Sequence, residues 1–170
     1  NTALTDLHCS SNQLTSLDVS KNTALITLDP DQNQLTTLDV SNNTALTRIN
    51  CSGNQLTSLD VSNNTALTIL GLNYNQLTTI DVSNNTLLVA LACHDNELTS
   101  LDISSNTALA NLQCGRNQLT SLDVSNNTSL DDNLSCHDNQ LTYLNMKNGL
   151  TDQLSTFNAT GNSSLTCIEP

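Results

Sequence analysis

Apolar positions recur along this chain on a fixed beat, L-x-x-L-x-(apolar)-x-x-N. Leu4-Thr5-Asp6-Leu7-His8-Cys9-Ser10-Ser11-Asn12 and Leu14-Thr15-Ser16-Leu17-Asp18-Val19-Ser20-Lys21-Asn22 are two successive instances. The first-half asparagines Asn12, Asn33, Asn54, Asn75, Asn96 and Asn117 are 21 residues apart, and Asn139 follows one residue late. A 21-residue unit of two similar halves therefore repeats through the chain, and its second half barely changes. "LDVSNNTAL" stands in full at Leu59 to Leu67, with close copies from Leu17, Leu38, Ile80, Leu101 and Leu122. Repetition at this period marks a solenoid, because one unit cannot bury its own apolar face while stacked units share a core.

Within each half the side chains alternate. Leu7 and Cys9 point inward and His8 outward; Leu17 and Val19 point inward and Asp18 outward. The pattern predicts a β-rich solenoid with two short parallel strands per 21-residue turn and little or no helix. The asparagine closing each half is expected to turn inward, where its amide can satisfy backbone groups at the bend. Eight turns at about 4.8 Å per strand make a rod on the order of 40 Å long. Residues 1–148 read as seven units and residues 149–170 as a degenerate final turn and cap, in which Leu154 resumes with a second-half pattern. The extra residue in the seventh unit predicts a bulge at Asn133. Asn1 already begins a regular unit, so the array is expected to continue upstream or to pair at that end.

Seven in-register copies of L-x-x-L-x-L-x-x-N make the chain resemble the leucine-rich repeat family over essentially its whole length. The doubled unit is similar to the nested repeats of bacterial surface proteins. The cysteine of the first half is similar to internalin J-like cysteine-ladder repeats. Leu154 to Asn162, followed by Leu165-Thr166-Cys167-Ile168, looks like the close of arrays in secreted Bacteroidetes proteins. That resemblance implies a secreted or cell-surface protein, with a downstream sorting domain that this segment does not contain.

Composition narrows the partners. The formal net charge is −12, only Lys21, Arg48, Arg116 and Lys147 are basic, and Tyr74, Tyr143 and Phe157 are the aromatics. Nucleic-acid affinity rests on Lys and Arg displacing counterions, so no nucleic-acid partner is expected. No apolar run is long enough to span a bilayer, so no membrane insertion is expected, and Asn1-Thr2-Ala3-Leu4 does not read as a signal peptide.

Six cysteines first suggest disulfides, but their phase argues otherwise. Cys9, Cys51, Cys93, Cys114 and Cys136 share one inward position, filled by Pro30 and Leu72 in other turns. Neighbouring parallel strands hold their Cβ atoms farther apart than the roughly 3.8 Å of a disulfide, so free thiols packed as small hydrophobes are expected. Cys93-His94 and Cys136-His137 read as metal ligands only as text. Adjacent strand residues face opposite sides, which denies thiol and imidazole a shared metal. No metal, cofactor or catalytic residue is assigned. There is no G-x-S-x-G elbow, phosphate loop or H-E-x-x-H, and His8 with Asp29 or Asp31 lies on an open strand face without an enclosing pocket.

The repeat supplies its own alignment. Outward second-half positions hold Asp18, Asp39, Asp60, Asp81, Asp102 and Asp123 between rows of Ser and Thr. This ladder reads as local hydrogen bonding by each carboxylate plus exposed charge that discourages aggregation; calcium attraction is a weaker alternative, since one carboxylate per turn is sparse. Charged aspartate also argues against an ice-binding plane. Outward first-half positions vary. They include Asp6, Arg48, Ile69 and Asn111 in one row, and His8, Asp29, Asn50 and Gln113 in the next. Asp31, Asn73, His94 and His137 form a third, and Tyr74, Asp95, Arg116 and Asp138 belong to the fourth. A constant scaffold beside a varied face suits recognition, and Arg48, Tyr74 and Arg116 are types enriched at binding hot spots. The expected function is a recognition module with a protein partner. The alternatives are a polysaccharide-binding module and a spacer carrying another domain.

Overall fold

A computed structural model describes residues 1–150 and 152–169. They form an end-to-end stack of eight turns without helix, carrying eleven three-residue strands. The first-half strands are β1 (Asp6–His8), β2 (Thr27–Asp29), β3 (Arg48–Asn50), β4 (Ile69–Gly71), β5 (Ala90–Ala92), β6 (Asn111–Gln113), β8 (Asn133–Ser135) and β10 (Thr156–Asn158). They pair in parallel as one sheet in that order, and matching positions face each other from turn to turn, as in Leu70↔Leu91 and Leu91↔Leu112.

The second halves differ. They pair only as β7 (Ser121–Asp123), β9 (Tyr143–Asn145) and β11 (Cys167–Glu169). In the earlier turns they are extended segments without a ladder. Charge explains where the ladder begins. From Asp18 to Asp102 each aspartate is followed by an aspartate in the next turn, and like charges placed opposite one another resist close pairing. At β7–β9, Asp123 faces Asn145 instead, and Asn145 Nδ2 donates to Asp123 Oδ2 at 3.1 Å. There the backbones close, and Val124 N–H donates to the Asn145 carbonyl at 2.9 Å. The unpaired turns leave small openings: Leu38, Leu59, Ile80 and Leu101 stay 7–8% exposed, against 1% for Leu122 and 0% for Leu144. The first-half sheet is thus the continuously paired side of the stack, its inner sheet.

Leucine, valine, isoleucine and cysteine fill the interior as one continuous core. Two asparagine ladders tie its corners. In the first halves, Asn75 Nδ2 donates to the Cys51 carbonyl one turn away and to Leu72 of its own turn, while its Oδ1 accepts from Leu56 N–H at 3.0 Å. In the second halves, Asn64 Nδ2 donates to Val40 and Asn43 of the preceding turn, and its buried Oδ1 accepts nothing from the chain. Each ladder satisfies carbonyls at bends where no strand partner is available.

Register corrects two sequence expectations. Asn133 is no bulge: it belongs to β8 and pairs with Asn111. Asp132 and Asn133 both donate to the Ala110 carbonyl, as Thr47 and Arg48 both donate to Ile26, so the extra residue is Asp131, looped out before the strand. Leu154 to Asn162 is likewise not a second half. Its strand β10 pairs with β8, which makes it the first half of an eighth turn whose second half contains β11. The longer connection after Asn148 absorbs the insertion; Thr151 within it and Pro170 lie outside the described residues.

Candidate functional site

The inner sheet presents positions one and three of its strands outward, Gly71 alone among them being buried, and the backbone beyond the strand then turns sharply. Two residues of that turn also face outward. The last of them, just before the ladder asparagine, is left-handed: φ is 55° at Ser11, 52° at Gln32, 54° at Tyr74, 54° at Asp95, 51° at Arg116 and 51° at Asp138. Gly53 and Gly161 occupy the same place with φ of 65° and 73°. L-residues adopt this region at a cost and glycine does not. Periodicity places this row outward but gives no sign of its backbone conformation. The recurrence of Gly53 and Gly161 just before Asn54 and Asn162 was the available signal.

Near the C-terminal end of the sheet the turns bring together Tyr74, His94, Asp95, Gln113, Arg116 and His137 with Asn133 and Ser135, around a pocket of about 410 Å³. His94 Nδ1 lies 2.6 Å from Asp95 Oδ2, and the Tyr74 ring meets the His94 ring edge-on at 4.8 Å. Arg116 spans two turns, 3.6 Å from Asp95 and 3.6 Å from Asp138. His137 is 2.9 Å from Ser135 Oγ. Its ring occupies the space beside Gly115, where a Cβ would come within 2.3 Å of it. Asn133 and Ser135 were not among the candidate contacts. Reading Asn133 as the inserted residue hides its outward strand position, which only its pairing with Asn111 reveals.

A second depression, of about 230 Å³, lies mid-sheet and includes Arg48, Asn50, Ile69, Asn73, Asn111 and Gln113 together with Gly71, Ala90 and Ala92. Gln113 lines both depressions. The remaining candidates gather at the N-terminal end. His8 lies 3.5 Å from Asp29, and Asp31 beside them has its carboxyl pushed up by burial and by the charge of Asp29. Asp6 stands apart, held below the usual carboxylate range by Thr5 and Thr27 hydroxyls.

The outward aspartates of the second halves are locally satisfied. Asp18, Asp39, Asp60, Asp81, Asp102 and Asp123 each accept a hydrogen bond from the backbone N–H of the serine two residues on, at 2.8–3.0 Å. That serine's hydroxyl and N–H hold each carboxyl below its ordinary range, the N–H being the larger influence at Asp102. Among the described residues, no group of three or more His, Cys, Asp or Glu is arranged to hold a metal. Cys51, Cys93, Cys114 and Cys136 are buried in the core as unpaired thiols. Burial pushes Cys51, Cys93 and Cys136 up to about 12 and Cys114 well above the ordinary thiol value.

A family model described as the LVIVD repeat matches residues 30–51, about one turn of the coil. No curated protein matches the chain. Among solved structures, the functional domain of InlJ from Listeria monocytogenes, described as including a cysteine ladder, is 37% identical over 97% of this chain and 46% of its own, with a TM-score of 0.66. A leucine-rich repeat protein of Leptospira interrogans is 23% identical over 98% of this chain and 48% of its own, with a TM-score of 0.83. The plant peptide hormone receptor RGFR1, solved in complex with RGF2, is 22% identical over 93% of this chain and 28% of its own, with a TM-score of 0.78. The chain thus spans less than half the length of each. With its in-register parallel coil, its inward cysteine row and its 37% identity to InlJ, the chain belongs to the leucine-rich repeat family, in the internalin-like form with a cysteine ladder.

Proposed function

We propose that this chain is the recognition module of a secreted or cell-surface protein, and that it binds a protein partner through the inner, first-half face. The observation that carries this reading is the left-handed row. Ser11, Gln32, Tyr74, Asp95, Arg116 and Asp138 occupy backbone positions that glycine would fill at lower cost, as Gly53 and Gly161 do. Large side chains kept at strained positions on one edge of a face suit a use for those side chains, and strain of this kind gathers at ligand-contacting sites. The similar structures support the reading as extended repeat scaffolds, one of them solved with a bound partner.

One observation favours polysaccharide as the second reading. The pocket between Tyr74 and His137 is lined mainly by polar groups, several of them fixed by mutual hydrogen bonds beside a single aromatic edge. Binding to an array of matrix proteins and polysaccharides, run beside a variant with Arg48, Tyr74 and Arg116 changed to Ser, separates the readings. A protein hit that the variant loses is the expected result. A polysaccharide hit lost by the variant would transfer the face to the second reading, and a hit that the variant keeps would move recognition off this face.

A further inference from the structure

Seven consecutive apolar residues, Leu87-Leu88-Val89-Ala90-Leu91-Ala92-Cys93, interrupt the alternation that the other turns keep. Inward Leu88, Leu91 and Cys93 are buried as in every turn. The outward members are the exception. Leu87 is 54% exposed where other turns carry alanine or serine, and Val89 is 44% exposed where three other turns carry threonine and one carries the similarly exposed Ile26. On the inner sheet, Ala90 and Ala92 of β5 stand beside Ile69 and Gly71 of β4, so the two central strands offer only small or apolar side chains. The mid-sheet depression of about 230 Å³ lies over them.

Its rim is polar and already ordered. Asn50 is held by Ser52 Oγ at 2.8 Å and covers Gly71, where a Cβ would come within 2.6 Å of it. On the far side Gln113 donates to Asn111 at 3.2 Å, and Asn111 donates to Asp132 at 2.8 Å. Asn73 accepts from His94 N–H at 3.0 Å. An apolar centre inside a polar rim is the anatomy of a protein interface core, and side chains fixed before contact lose little freedom on binding. Arg48 supplies the charge. It lines the depression, and among the described residues it makes no ion pair, in a chain with sixteen acidic residues.

We propose that the depression across β4 and β5 seats one aliphatic or aromatic side chain of a protein segment that also sets a carboxylate on Arg48, with Leu87 and Val89 extending the apolar contact around the edge. This rests on the protein-recognition reading above and names the chemistry of the partner.

The test is selection of a displayed random peptide library on the wild-type domain, followed by titration of synthetic copies of the enriched peptides. Enriched peptides are expected to share an apolar residue close to Asp or Glu. Ala90→Asp should weaken them about 30-fold and Arg48→Ser about tenfold, the range of a hot-spot anchor and a charged contact. Asp6 already occupies the Ala90 position in the first turn, so the aspartate is compatible with the fold. A wild-type melting temperature for the variant confirms this. Leu87→Ala with Val89→Thr, which restores the residues of neighbouring turns, should cost a smaller factor. Peptides that survive Ala90→Asp but are lost on Tyr74→Ser with Arg116→Ser would overturn this proposal and leave protein recognition standing at the other pocket. Failure to enrich any peptide, together with polysaccharide binding lost in the Arg48, Tyr74 and Arg116 variant, would overturn both.

Discussion

A single asparagine shows how much this coil asks of one side chain. Asn75 has partners for its donors and its acceptor, whereas Asn64 has partners for its donors only. Replacing either with alanine strands buried carbonyls, and Asn75→Ala strands the Leu56 amide as well. Chemical denaturation should show losses of about 2–4 kcal/mol, with Asn75→Ala the larger. Asn63→Ala, at an exposed site, is the control and should change little. At the left-handed row the sign reverses. Tyr74→Gly and Arg116→Gly should each raise stability by about 0.5–1 kcal/mol while Tyr74→Ser does not, since only glycine relieves the backbone. Equal effects of glycine and serine would argue against strain. The thiols make a further residue-scale case. Cys167 is exposed and Cys9 half-buried, while Cys51, Cys93, Cys114 and Cys136 are buried. A thiol reagent at mild alkaline pH should modify Cys167 first, Cys9 more slowly, and the other four only on unfolding.

At the scale of the strand, the aspartate ladder keeps the outer side of the early turns open. Asp123→Asn would place an amide opposite Asp102 and mimic the Asp123–Asn145 pair that closes the later turns. The Ile103 amide should then gain protection from hydrogen exchange. Unchanged exchange there would show that charge is not what spaces these segments. The same carboxylates set an acid limit. Each native carboxyl lies below its ordinary value, so the unfolded chain takes up protons first as pH falls. Their contribution is fully present above about pH 4 and is lost as pH drops through the native values, so melting temperature should fall on acidification from pH 5 to pH 2. Relief of Asp–Asp repulsion acts in the opposite direction but is the lesser influence at each site, so a rise in melting temperature over that range would refute this ordering.

Across the whole molecule, stability is a sum over turns and their interfaces. Because each turn contacts only its neighbours, deleting one internal 21-residue unit in register should leave a folded coil. The denaturant m-value should fall by about one eighth, as buried surface scales with the number of turns. Loss of all cooperative unfolding would mean the array is less modular than its register implies. The two depressions of the inner face share the turns of β4, β5 and β6, but Arg48 belongs to the turn of β3, so removing that unit should weaken binding at the apolar seat while the pocket at Tyr74 to His137 persists.

Much of this was determined by sequence alone: the solenoid, its parallel register, the inward cysteines and the inner face that varies. Those properties follow from periodicity, since a residue repeated every 21 positions must meet the same environment in each turn. Other properties needed the turns stacked. Whether the second halves pair depends on which side chains face each other between turns, and Asp–Asp against Asp–Asn was visible only once Asp123 and Asn145 were in register. Shifted phase hid the place of Asn133 and of Leu154 to Asn162, because an inserted residue can be absorbed anywhere in a bend until hydrogen bonds show where. The glycines that make room for side chains of an adjacent turn and the hollow over β4 and β5 arise between turns rather than within one. No single repeat, read along its own length, contains them.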